Sequence, residues 1–287
     1  MIADLRLLVS DIDGTLVRGD KSLADPVVEA VRRLTAAGVA VSLISARPPS
    51  GMLWIAERLG LTGPVGAFNG GTIVGIDGAV RSAVRLAPET ARRALALVDR
   101  PDVAVWLFHA GRWHAKRTSS HDGSERITAN QEPNFVADLS GLVDAVDKIV
   151  AVSDDHAMLA KLEGEVAAAL GSAATVARSQ EYYLDITAPS ANKGDGIAAL
   201  AEAFGVALAQ TAAIGDQRND LPMFARAGLS IAMGEGPQEV RDKAMHVTAG
   251  NDADGVARAI DEILLPLARG VMDKALRSPH ETRRLAR

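Results

Sequence analysis

Leu5-Arg6-Leu7-Leu8-Val9-Ser10-Asp11-Ile12-Asp13-Gly14-Thr15-Leu16 is the stretch that decides how the chain is read. An apolar run breaks at once into Asp, Gly and Thr, the pattern of a buried strand that ends in a loop. In extended backbone, residues two apart point the same way. Asp11 and Asp13 are therefore both expected to face a crevice at the carboxyl end of a sheet, where open α/β folds place their ligands. Gly14 lets the backbone turn away. The plainer alternative is an Asx-type turn, common wherever Asp and Gly cluster after a strand.

Asp25-Pro26 supplies an N-cap and a Pro at the first helical position, Val27, Val31 and Leu34 repeat on one face, and Gly38 follows. Val39 to Ile44 reads as a second strand, Met52 to Leu59 as a helix stopped by Gly60, and Val65 to Phe68 as a third strand. Strand and helix in alternation imply a parallel sheet with right-handed crossovers. Beyond Asn69 the rhythm becomes that of a hairpin, 72–74 and 79–81 about Gly75-Ile76-Asp77-Gly78. Residues 83–187 have a pattern of their own: a helix led by Pro88, strands at 103–109, 112–116 and 148–152, a helix over 155–170, and strands near Thr175 and at 183–186. From Gly194 the alternation returns, with strands at 211–214 and 229–233, helices at 221–227 and 237–245, and a last helix from Asp254. The expected architecture is a doubly wound, Rossmann-like parallel-sheet α/β core of residues 1–82 and 188–287 with an inserted α+β cap at 83–187.

A second cluster, Ile214-Gly215-Asp216-Gln217-Arg218-Asn219-Asp220, repeats the context of the first, after an apolar strand and before a helix. If the two strands are parallel neighbours, Asp11, Asp13, Asp216 and Asp220 converge. Two carboxylates about 4 Å apart repel by roughly 4 kcal/mol at an effective dielectric near 20, so four require protonation or a cation. Hard oxygen ligands in small number favour Mg²⁺ over a closed Ca²⁺ cage. For Asp220 the plainer role is a helix N-cap. Two smaller signals are Ile44-Ser45-Ala46-Arg47, where a hydroxyl ends the second strand, and Asn192-Lys193-Gly194, which opens a helix. Each alone reads as a turn residue or a solvated lysine, although Lys193 sits at the unfavourable end of a helix dipole and so suggests an anionic neighbour.

Composition removes several classes of function. The 287 residues favour two domains at about 150 residues each. With 31 Lys plus Arg against 36 Asp plus Glu, a net charge of −5 and 3% aromatic residues, there is neither a basic excess nor a set of stacking rings for nucleic acid. The absence of cysteine excludes disulfides and thiol chemistry and fits a reducing compartment. Asp4, Asp11 and Asp13 interrupt a signal-peptide pattern, and the most apolar long stretch, Ala198 to Ile214, contains Glu202 and Gln210, so a cytoplasmic protein is expected. No Gly-Lys pair exists to build a P-loop, Gly228-Leu229-Ser230-Ile231-Ala232 lacks the final Gly of a hydrolase elbow, and the six histidines show no paired zinc spacing. The tail Arg277 to Arg287 reads as a solvated end.

Taken together and in this order, the four clusters resemble the haloacid dehalogenase-like (HAD) superfamily of aspartyl-phosphate enzymes. Asp11-Ile12-Asp13-Gly14-Thr15 is similar to its first motif, Ser45 to its second, Lys193 to its third, and Gly215-Asp216-Gln217-Arg218-Asn219-Asp220 to its fourth. An insertion after Asn69-Gly70-Gly71 and before Lys193 resembles the Cof-like subfamily IIB with its α+β cap. Ser45-Ala46-Arg47 stands where that subfamily usually has Thr-Gly-Arg, and Asn69-Gly70-Gly71 where it has Asn-Gly-Ala. The resemblance implies a phosphatase of small phosphorylated metabolites such as sugar phosphates. Asp11 would be the nucleophile and Asp13 the acid and base, with Ser45 and Lys193 on the phosphoryl group. Mg²⁺ would be held by Asp11, the Asp13 carbonyl and Asp216, with Asn219 and Asp220 in support. Arg47, Asn69, Gly70 and Arg117 are candidates to contact substrate, as are the stretch 112–117 and Tyr182; His114 and His121 are read as surface or packing residues. A phosphomutase on the same residues, or a non-catalytic metabolite-binding module, are the rival readings.

Overall fold

The computed structural model describes residues 4–268, so the tail from Arg277 to Arg287 lies outside the described residues. In chain order the elements are β1 Leu7–Ser10, α1 Asp25–Ala36, β2 Ala40–Leu43, α2 Pro49–Arg58, β3 Val65–Ala67, β4 Thr72–Val74 and β5 Val80–Ala83. Then come α3 Pro88–Val98, β6 Ala104–His109, β7 Arg112–Ala115, α4 Asp122–Ala129, β8 Asn134–Phe135, β9 Val146–Val152, α5 His156–Leu170, β10 Thr175–Gln180 and β11 Tyr183–Thr187. The chain closes with α6 Lys193–Ala203, β12 Thr211–Gly215, α7 Leu221–Phe224, β13 Leu229–Ala232, α8 Gln238–Arg241, β14 His246–Val247 and α9 Gly255–Ala259, which runs into a π-turn at Ile260–Leu264. These elements form two compact units: residues up to Ile44, Ile55–Pro64 and from Ile197 onward in one, Ser45–Trp54 and Val65–Gly196 in the other.

The first unit is built on a five-stranded sheet of order β14-β13-β12-β1-β2, parallel throughout. Leu7, Leu8 and Val9 are all fully buried, as a strand covered on both faces requires. This is the doubly wound α/β core that the alternation implies. Helix α1 buries Val27, Val31 and Leu34 as its periodicity predicts, but its cap is Ala24 without a side-chain bond, and Asp25 instead pairs with Arg58 at 3.0 Å.

The third expected strand does not join this sheet. β3 pairs antiparallel with β4, and β4 with β5, in a separate three-stranded sheet of the second unit. The cause is local: Phe68 and Asn69 both take left-handed backbone, φ 50° and 58°, which reverses the chain and returns β4 onto β3.

The six-stranded sheet of the second unit has the order β10-β11-β9-β6-β7-β8. Alternation along its strands sends Val105, Leu107, Ile149, Ala151, Leu184 and Ile186 to the face covered by α3 and α5, where Leu95, Val98, Leu159, Leu162 and Val166 complete the core. The intervening residues Trp106, Phe108 and Trp113 are fully buried on the opposite face, where the two indoles meet edge to face at 5.1 Å. Ala110 and Gly111, φ 48° and 77°, make the expected turn between β6 and β7.

Two elements depart from the sequence reading by addition. α4 is a polar helix whose buried residues include Asp122 and Glu125, so no apolar period announces it, and β8 has only two residues. Two others depart by shortening: the helices expected at 221–227 and 237–245 are the single turns α7 and α8.

Candidate active site

β1 and β12 are parallel neighbours with Ser10 opposite Ile214, so the residues that follow each strand emerge side by side. Asp11, Asp216 and Asp220, all buried, each bring a carboxylate oxygen within 4.8 Å of the others. Buried carboxylates this close are stable only when a proton or cation offsets their repulsion, about 4 kcal/mol per pair at an effective dielectric near 20.

The surrounding backbone is cut to these carboxylates. Gly14 has φ +79°, and a Cβ there would stand 2.4 Å from Asp216 Oδ2, so glycine is required twice over. Thr15 Oγ1 donates to Asp216 Oδ1 at 2.8 Å. Asp220 Oδ2 accepts from the backbone N–H groups of Asp216 and Gln217, both at 2.8 Å. That contact corrects the N-cap expectation: no side-chain bond caps α7, because the Asp220 carboxylate reaches back and folds the loop that presents Asp216. Gly215 permits the return, since a Cβ there would lie 2.3 Å from Asp220 Cγ. One oxygen each of Asp216 and Asp220 is thus engaged in shaping the loop. The donor set, hard and anionic with three carboxylates on two rigid strand ends, fits a small divalent cation.

Of the four aspartates expected to converge, Asp11, Asp216 and Asp220 form the group close enough to share one ion, and Asp13 Oδ1 is 2.8 Å from Lys21 Nζ. A bridge between Asp13 and Val17 ends the extended run.

Asn219 lies in the first unit, in the turn Arg218–Asp220 beside Asp220; the second unit holds Ser45, Arg47, Asn69, Gly70, Arg117 and Lys193, and local bonds gather several of them. Ser45 N–H donates to Gly66 O at 3.0 Å, Asn69 N–H to Ser45 O at 2.7 Å and Phe68 N–H to Arg47 O at 3.0 Å. Arg47 N–H also reaches Ser45 Oγ at 3.3 Å, and the buried Arg47 guanidinium donates to Gly51 O at 3.1 Å. Gly71 closes the loop against the chain leading to α6, since a Cβ there would lie 2.7 Å from Ala191 Cβ. Two residues on, Lys193 opens α6 with only 1% exposure. Asn192 caps that helix, its Oδ1 accepting from Asp195 N–H at 2.9 Å. An ammonium buried at the positive end of a helix is tolerated only beside negative charge.

The cap-residue expectations fare unevenly. The Arg117 guanidinium donates to the carbonyl of Arg100 at 2.6 Å and to that of Val103, and Lys116 pairs with Asp99 at 2.7 Å, so both are engaged in holding the 99–103 turn. His114 packs as expected, and burial lowers its pKa. His121 packs too, its ring stacked on Tyr182 at 4.0 Å, and Nε2 lies 2.8 Å from Asp154. Tyr183 stands edge to face with Trp106 at 5.1 Å.

Thr15 and Lys21 are the polar residues at the carboxylates that the sequence reading left without a role. Thr15 is visible inside the motif, but nothing in spacing shows where its hydroxyl points. Lys21 is announced only by the turn signal Gly19-Asp20.

A parallel α/β sheet with a buried carboxylate cluster beyond its β1 and β12 ends, in a chain that also carries an α+β unit, is an arrangement suited to hydrolysis. The chain belongs to the haloacid dehalogenase-like hydrolases, whose family pattern matches residues 8–260. It is 27% identical over 246 residues to an HMP-PP phosphatase of Cronobacter sakazakii, covering 84% of this chain and 89% of that one. A haloacid dehalogenase-like hydrolase from Bacteroides thetaiotaomicron superposes with a TM-score of 0.83 at 26% identity, over 91% of this chain and 100% of its own. The fold is shared too with a sugar phosphatase described as HAD subclass IIB, at TM-score 0.77 and 21% identity, over 91% and 99% of the two chains. The family expected from the motifs is the family found. Among the described residues no helix is long and apolar enough to cross a membrane.

Proposed function

We propose that this chain is a Mg²⁺-dependent phosphatase of small phosphorylated metabolites that works through an aspartyl-phosphate on Asp11. The observation that carries the reading is the buried Asp11, Asp216 and Asp220 cluster at the ends of two adjacent parallel strands, with Asp13 two residues beyond the nucleophile. The names of its relatives, an HMP-PP phosphatase and a sugar phosphatase, agree with a small organic phosphate as substrate.

Asp11 attacks phosphorus and the ester bond to the alcohol breaks. Asp13 gives its proton to the departing alcohol oxygen, then takes one from the water that attacks the acyl phosphate; the two halves need opposite protonation states, so one carboxyl serves both in turn. Asp11, the Asp13 carbonyl and Asp216 would hold Mg²⁺, with Asn219 and Asp220 in support, and the ion would supply neutralisation of charge on the transferring group. To Ser45 and Lys193 we assign the phosphoryl oxygens. Asn69 and Gly70, bonded into the Ser45 loop, belong with Arg47 to the substrate's surroundings. Residues 83–187 act as the cap that selects the alcohol. A phosphomutase would use the same residues but pass the phosphoryl group to a second hydroxyl by way of a bisphosphate, so trapping a bisphosphate separates the two reactions.

Turnover of 4-nitrophenyl phosphate tests the reading. Activity is expected with Mg²⁺, lost on chelation and restored by Mg²⁺, but restored poorly by Ca²⁺, whose looser coordination misplaces the attacking oxygen. Full activity in excess chelator contradicts it.

A further inference from the structure

The loop after β1 makes a contact that none of these roles uses. Lys21 Nζ lies 2.8 Å from Asp13 Oδ1, with the two side chains 35% and 31% exposed. Lys21 takes φ 68°, a left-handed conformation that costs a non-glycine residue about 1 kcal/mol or more and persists only where the surroundings impose it. They do so here. Lys21 N–H donates to Arg18 O at 2.9 Å and Arg18 N–H to Ser22 O at 3.0 Å, which closes a tight turn. From outside the turn, Asn251 Nδ2 donates to Val17 O at 2.9 Å, Gly19 N–H to Asp252 Oδ1 at 3.1 Å, and the Arg18 guanidinium to Asp254 Oδ1 at 2.9 Å. The segment 251–254 thereby clamps the turn that aims the lysine at Asp13.

We propose that Lys21 is a positioning residue for Asp13, holding its carboxyl through Oδ1 in the orientation from which it exchanges protons with the alcohol and with water. The inference rests on the reading of Asp13 as acid and base. In the first half-reaction the Asp13 carboxyl proton passes to the alcohol oxygen as its bond to phosphorus breaks and the Asp11 bond forms. In the second, a water proton returns to the Asp13 carboxylate while the water oxygen bonds phosphorus and Asp11 departs as carboxylate. Lys21 keeps its protons throughout.

Help from a general acid matters more as the leaving group worsens. The matched probes are therefore 4-nitrophenyl phosphate, whose phenoxide leaves almost unaided, and 4-nitrobenzyl phosphate, whose alkoxide must be protonated. For Lys21→Met we expect kcat/KM on the benzyl ester, which reports only the half-reaction that expels the alcohol, to fall about tenfold or more, with kcat/KM on the phenyl ester falling less than about threefold. Lys21→Arg restores most of the loss. Asp13→Asn shows the same bias more strongly, and adding Lys21→Met to it costs nothing further. Equal loss on both esters, or additive losses in the double variant, overturns the proposal. So does a gain on the benzyl ester, the result for an ammonium that only favours the charged form of Asp13. If Asp13→Asn shows no leaving-group bias, the assignment of Asp13 itself fails, and this failure is distinguishable from one confined to Lys21.

Discussion

Thr15 shows how much of the site depends on a single hydroxyl. Its bond to Asp216 Oδ1 fixes one oxygen of a carboxylate that clusters with those of Asp11 and Asp220. Thr15→Val keeps the shape and removes the donor. Partners that orient metal-binding carboxylates are worth about 10 to 100-fold in metal affinity, so the half-saturating Mg²⁺ concentration in a phosphatase assay should rise by that factor. An unchanged value would show that the Asp216 carboxylate is oriented without Thr15. At this scale the sequence was partly legible: a strand broken by Asp-x-Asp-Gly marks where carboxylates collect, because strand ends and glycine turns are local. The partners of those carboxylates are not local. Thr15 meets Asp216 across 201 positions of chain, and the Asp13–Lys21 pair needs a left-handed residue that spacing does not reveal.

Among the elements, those with an apolar period were legible and those held by polar contacts were not. α5 illustrates the first kind: Asp155 precedes an apolar face, and its carboxylate accepts from Met158 N–H at 2.9 Å. Replacing this cap by alanine, Asp155→Ala, should cost about 0.5–2 kcal/mol in urea unfolding, while turnover of a small aryl phosphate per folded molecule stays unchanged. No change in stability would mean that packing against α3 and the sheet sets the helix start. α4 illustrates the second kind, with buried Asp122 and Glu125 where an amphipathic pattern has leucines. β3 is a third case. It reads as one more parallel strand because Val65 and its neighbours are apolar, yet the reversal at Phe68 and Asn69 commits it to an antiparallel partner.

For the whole molecule, alternation of strands and helices broken by a segment of different rhythm is the feature that made the architecture readable. Each half of the α/β sheet carries one acidic loop, and only the pairing of β1 with β12 unites them. The chain between those strands can be long without disturbing their register. Phosphorylation of Asp11 during turnover is checked by quenching the enzyme in mid-turnover with acid, reducing the acyl phosphate with borohydride and locating the reduced residue by peptide mass spectrometry. Reduction is expected at Asp11, absent without substrate and absent in an Asp11→Asn variant that folds normally and does not turn over. Sustained turnover by Asp11→Asn, or turnover in the parent enzyme with Asp11 never modified, would contradict it.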